Sequence, residues 1–140
     1  MPEKENISID EALKRGVAAH KAADLRLANF YYSSILKAQP DHPDANNNIG
    51  ILAISIGKID VSIGYFENAI KSNNKNEQYW LSLINAYSDL GNFQKALNTI
   101  ASARKIIGSL ESLNFIEQAV FQQQVIKRKK DPNHEEKIPQ

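Results

Sequence analysis

Between Asn76 and Gly108 the apolar side chains fall on two separate stripes. Read as a helix, Tyr79, Trp80, Leu83, Tyr87 and Leu90 share one side. Gly91-Asn92 interrupts the pattern, and Phe93, Ala96, Leu97, Ile100 and Ala103 form a second stripe. Two segments of helical period separated by a glycine–asparagine break predict a helix, a tight turn and a second helix. Neither segment is apolar all round, so each must bury one face against a neighbour.

The same ladder stands 34 residues earlier. Ile49 holds the place of Leu83, Ala53 of Tyr87, Gly57 of Gly91 and Ile59 of Phe93. Ser62, Ile63, Phe66 and Ala69 follow for Ala96, Leu97, Ile100 and Ala103. One further step back gives Ala19, Ala23, Leu25, Ala28, Tyr32 and Ile35, closed by Pro40. A fixed period of this length predicts helical hairpins stacked in a row, because a single hairpin cannot bury its apolar face alone.

On these residues the chain resembles a tetratricopeptide repeat (TPR) array. Gly16, Ala28, Tyr32 and Pro40 match the family pattern in copy one, Gly50, Phe66 and Ala69 in copy two, and Trp80, Leu83, Tyr87, Ala96 and Ala103 in copy three. The resemblance implies an all-α, right-handed superhelix of three hairpins, at about 9–42, 43–76 and 77–110, with a capping helix at about 111–130. Together 9–130 would form one TPR domain between an N-terminal tail, 1–8, and a polar tail or linker, 131–140. Three departures stand out. Ala12 and Asn46 replace the Trp80 position, Ile84 replaces the small residue held by Gly16 and Gly50, and Asn74 and Gly108 replace Pro40.

Local signals place the helix ends. Ser8 and Glu11 have capping-box spacing ahead of helix one, and Pro43 suits the first turn of helix three. Gly16 is expected to make room for helix two near Ala28, and His42 to be a solvated turn residue. Asn46, Asn47 and Asn48 are poor helix formers inside helix three. In the capping helix Leu113, Ile116 and Val120 would cover the end of helix six, with Glu117, Gln118 and Gln122 to Gln124 as the polar outer side. Phe121 could either complete this cap or stand exposed as a contact. The run Lys127 to Lys130 suits a helix C-terminus, where the dipole favours cations.

Composition narrows the functions. The formal charge is +1, from 17 basic and 16 acidic side chains, so nothing global steers the chain to a polyanion. Cysteine is absent, which removes disulfides, thiolate catalysis and cysteine-ligated metal. There is no apolar run of membrane-spanning length, and residues 1–10 lack the apolar segment of a secretory signal. The expectation is a cytoplasmic protein. His20, His42 and His134 lie far apart and belong to no metal-binding motif. No nucleophile elbow or glycine-rich phosphate loop occurs, so no cofactor, no metal and no intrinsic catalysis are expected. Lys127 to Lys130 has no aromatic ladder beside it, which argues against nucleic acid as a partner.

Binding is expected on the concave face, which the first helix of each hairpin lines in a TPR-like register. The inward positions are Leu13, Lys14, Val17, His20 and Lys21 in copy one, and Asn47, Asn48, Ile51, Ile54 and Ser55 in copy two. Copy three supplies Gln78, Leu81, Ser82, Asn85, Ser88 and Asp89. Side-chain amides offer both donors and acceptors, which suits the backbone of an extended peptide. Some TPR proteins clamp a partner's C-terminal carboxylate with lysine, asparagine and arginine. Asn48 matches the asparagine, but Leu13, Val17, Gln78 and Ser82 occupy the other positions, so that clamp is not expected. The predicted function is a non-catalytic protein-interaction module. The alternative is self-association or scaffolding, through an alanine-rich face of helix one that includes Ala12, Ala19 and Ala23. The form is also similar to TPR segments placed ahead of transferase domains in larger bacterial proteins.

Overall fold

The computed structural model describes residues 6–131. They form seven helices: α1 (Ile9–Lys21), α2 (Leu25–Ala38), α3 (Pro43–Ser55), α4 (Ile59–Ser72), α5 (Glu77–Asp89), α6 (Phe93–Ile107) and α7 (Glu111–Lys130). The pairs α1–α2, α3–α4 and α5–α6 are hairpins stacked in chain order, and α7 closes the stack against α5 and α6. Of the two tails expected from the sequence, residues 1–5 and 132–140 lie outside the described residues.

Capping side chains set most of the starts. Ser8 Oγ accepts from the Glu11 amide at 3.1 Å, while the Glu11 carboxylate turns to Arg15 at 3.2 Å rather than back to the cap. Asp24, Asn76 and Asn92 cap α2, α5 and α6. His42 departs from the solvated role expected of it. Its Nδ1 accepts from the Ala45 amide at 3.1 Å, so it is the cap of α3, just ahead of Pro43.

The turn inside each hairpin repeats at the same offset. Gly57 and Gly91 adopt φ values of 80° and 76°, and Ala23 stands in the equivalent place with φ 60°. Ala23 is therefore a turn residue held in a left-handed conformation that disfavours a Cβ by about 1–2 kcal/mol. Ala12 and Ala19 are each 6% exposed. The alanine-rich face of α1 proposed for self-association is thus largely spent within the first hairpin, because alanines here admit Tyr31 and Tyr32 of α2.

The hairpin seams show how three unequal copies keep one geometry. A Cβ on Gly16 would sit 2.6 Å from the Tyr32 ring, and one on Gly50 would run into the Phe66 ring. Gly16 makes room for Tyr32, one turn beyond the expected Ala28. In the third hairpin the same pair is Ile84 and Ile100, both fully buried. A small residue facing a large ring is exchanged for two of middle size, which conserves volume across the seam. Trp80 is buried in that hairpin, and its Nε1 donates to the Asn74 carbonyl at 2.8 Å.

Polar ties join successive hairpins. The buried Asn46 donates through Nδ2 to the Pro40 carbonyl at 3.0 Å and the His42 carbonyl at 2.9 Å. It thereby fixes the connection between α2 and α3, in the position that Trp80 holds in copy three. The Tyr79 hydroxyl donates to Asp44, linking α5 to α3. Burial, reinforced by that carboxylate, pushes the Tyr79 phenol well above its ordinary value.

α7 completes the core with Leu113, Ile116 and Val120, packed in one cluster with Trp80, Ile84, Phe93 and Ile100. Arg104 holds it with a two-pronged pair to Glu117 at 2.7 and 3.0 Å and a further bond to Asn114 at 2.8 Å. Lys127 lies over the Phe93 ring, 5.5 Å from its centroid. The first member of the cationic run is therefore a packing residue at the turn of the third hairpin.

Candidate functional site

Alternate helices form one continuous layer: α3 touches α1 and α5, and α5 touches α7. The residues expected inward lie on this layer, and their burial separates them into two groups.

Most present surface. Lys14, Val17 and Lys21 line a cleft of about 570 Å³ together with Asp10, Leu13 and Ala18. Asn48 and Ile51 are half-buried and Ser55 is exposed on α3. Gln78, Asn85 and Asp89 are exposed on α5, with Leu81 half-buried beside them. Leu81 and Asn85 border a cleft of about 700 Å³ whose far wall is Ser112, Phe115, Ile116 and Ala119 of α7.

Three expected residues do not present surface. Asn47 is 4% exposed, and its Oδ1 has no hydrogen-bonding partner among the described residues. Ser82 is 7% exposed and accepts from Gln78 Nε2 at 3.4 Å. Ser88 is equally buried and donates to Gln123 Oε1 of α7 at 2.5 Å. The Ser88 hydroxyl is covered because α7 packs on α5 where the first helix of a further hairpin would lie, and Gln123 stands one 34-residue step after Asp89.

One surface residue was missed in the sequence. Phe115 is 77% exposed, the most exposed large apolar residue described. It completes a series at the repeat offset, Leu13, Asn47, Leu81, Phe115, and Ala119 likewise completes Val17, Ile51, Asn85. Extending the inward register into α7 would have found both. The resulting lining is an aliphatic and aromatic strip bordered by side-chain amides. Its charged groups are few: Asp10, Lys14 and Lys21 at the α1 end, Asp89 and Glu111 toward the other.

Among the described residues no group of three or more His, Cys, Asp and Glu is placed to hold a metal ion. No helix there is long and apolar enough to cross a membrane.

The architecture is the tetratricopeptide-repeat fold. No protein-family model matches the sequence, and no curated protein matches it, but solved structures do. The TPR2B domain of yeast Sti1, in its pHsp70 complex, aligns with a TM-score of 0.73 at 17% identity, over 85% of this chain and 97% of that one. The Arabidopsis OM64 TPR domain gives 0.70 at 15%, covering 81% and 94%. MamA from AMB-1 gives 0.71 at 19%, covering 98% of this chain and 71% of that one. At these identities the likeness is one of fold.

Proposed function

We propose that the chain is a non-catalytic interaction module that holds a partner's peptide segment along the α1–α3–α5–α7 layer. The observation that carries this reading is the lining itself. An apolar strip, Leu13, Val17, Ile51, Leu81 and Phe115, remains at least partly open to solvent and is bordered by Asn48, Gln78 and Asn85. Apolar positions in a strip take a guest's side chains by removing them from water, while amides satisfy its backbone groups. Structures of the same fold support the reading: one is the first TPR of Spaghetti (RPAP3) bound to the HSP90 peptide SRMEEVD. The guest here would not be an acidic peptide gripped by its carboxylates, because Leu13, Val17, Gln78 and Ser82 do not form a cationic clamp.

The test is selection of binding peptides from a random display library, followed by titration of Asn48→Ala plus Asn85→Ala. Each lost bond that leaves a buried guest group unpaired removes about 1–3 kcal/mol, or about 5- to 150-fold in affinity. Backbone resonance shifts should fall on Val17, Ile51, Leu81 and Ala119. Unchanged affinity in the folded double variant, with shifts on the opposite helix layer, would refute the reading.

A further inference from the structure

Besides the stripe it buries, α7 has a second patterned face at the end of the stack. Leu113, Ile116 and Val120 point into the core. On the other side Phe115, Val125 and Ile126 are 77%, 49% and 51% exposed. At 3.6 residues per turn, Glu111, Phe115, Gln118, Gln122, Val125 and Lys129 all project on the side opposite Val120. They also fall in pairs equidistant from Val120 along the helix: Glu111 with Lys129, Phe115 with Val125, and Gln118 with Gln122.

A helix face with this arrangement is complementary to its own inverted copy. Turned end for end, it sets acid against base at both ends, ring against valine further in, and amide against amide at the centre. The end charges also suit the dipole of α7 itself, but the apolar pair between them does not follow from that. We propose that this face is a homodimer interface, in which α7 packs antiparallel on α7 of a second copy about a twofold axis level with Val120. A twofold interface demands self-complementarity of this kind, with each contact made twice. The occupant is a second chain rather than an anionic lipid surface, because a bilayer would use Lys129 and Val125 but gain nothing from Glu111 on the same face. The interface shares Glu111 and Phe115 with the α7 wall of the proposed peptide cleft, so dimer and guest would compete at that edge, while Val125 and Lys129 belong to the dimer face alone. The interface replaces the α1 alanines as the route to self-association.

The test is sedimentation of the full chain at low salt, from low micromolar to submillimolar concentration. A reversible dimer is expected. Glu111→Lys and Lys129→Glu should each weaken it about tenfold, since each puts like charges together at both ends. Mixed in equal amounts, the two variants should recover wild-type association, because each end again pairs opposite charges. Val125→Glu should also weaken the dimer. The helical circular-dichroism signal should stay unchanged, since all three side chains are exposed. A monomer throughout, a dimer indifferent to these variants, a mixture no tighter than its components, or a monomer that instead cosediments with phosphatidylserine vesicles would each overturn the proposal.

Discussion

Adding one methyl group to a helical glycine should have opposite consequences at two sites in the same hairpin. Gly50 of α3 and Gly64 of α4 both lie inside helices, where alanine is intrinsically better than glycine by about 1 kcal/mol. At Gly64 nothing lies within 4 Å of the new Cβ, so Gly64→Ala should stabilise by roughly 0.5–1 kcal/mol. At Gly50 the Cβ would lie 2.8 Å from Cδ1 of Phe66, well inside the optimal carbon separation of about 3.5–4.0 Å. Phe66 is fully buried, in a close-packed interior where even one added methyl group is felt. Overpacking of that kind costs about 1–3 kcal/mol, so Gly50→Ala should be net destabilising by up to about 2 kcal/mol despite its better propensity. Urea unfolding followed by circular dichroism should show the two midpoints moving apart at similar slope. The cause can be isolated with Phe66→Leu, which alone opens a cavity but combined with Gly50→Ala gives the methyl group room. The double variant should be more stable than additivity allows by about 1 kcal/mol, the size typical of residues in contact. Equal shifts for Gly50→Ala and Gly64→Ala, or strict additivity with Phe66→Leu, would refute the size-exchange account of the seams.

Three further outcomes follow from the same structure. Ala23→Gly should stabilise the chain by about 0.5–1 kcal/mol, since relief of the left-handed conformation outweighs the added freedom of the unfolded chain; a loss in the urea midpoint would contradict the turn assignment. Asn46→Ala should destabilise by about 1–3 kcal/mol by leaving the Pro40 and His42 carbonyls without their side-chain donor, read by the same assay. Stability should fall as pH rises above 10. Tyr32, raised by burial, and Tyr79 and Tyr87, raised by burial and by Asp44 and Glu67 respectively, keep their protons longer in the fold than in the unfolded chain, where the ordinary value is 10.0. Thermal melts between neutral and strongly alkaline pH would check the direction, and Tyr79→Phe should reduce the slope.

The sequence carried the architecture because a period of 34 residues with a glycine break in the later copies leaves little choice of topology. It carried the site less well, for physical reasons that differ by residue. Alanine is compatible with both a surface and a tight seam, so the pattern could not tell that Ala12 and Ala19 are buried under α2. Ser88 looked inward by register, but α7 packs on α5 there and Gln123 takes its hydroxyl. His42 was invisible as a cap because histidine seldom serves as one. Phe115, by contrast, was legible: it stands one repeat after Leu81, and the register simply continues into α7.

The stacking of like hairpins, on which the binding face depends, is tested most directly by nuclear Overhauser contacts in the labelled chain. Contacts are expected from the Tyr32 ring to the Gly16 Hα protons, from the Phe66 ring to those of Gly50, and from the Tyr79 ring across to Asp44. Rings that touch glycines of a different hairpin, or a Tyr79 ring with no contact to α3, would contradict that stacking.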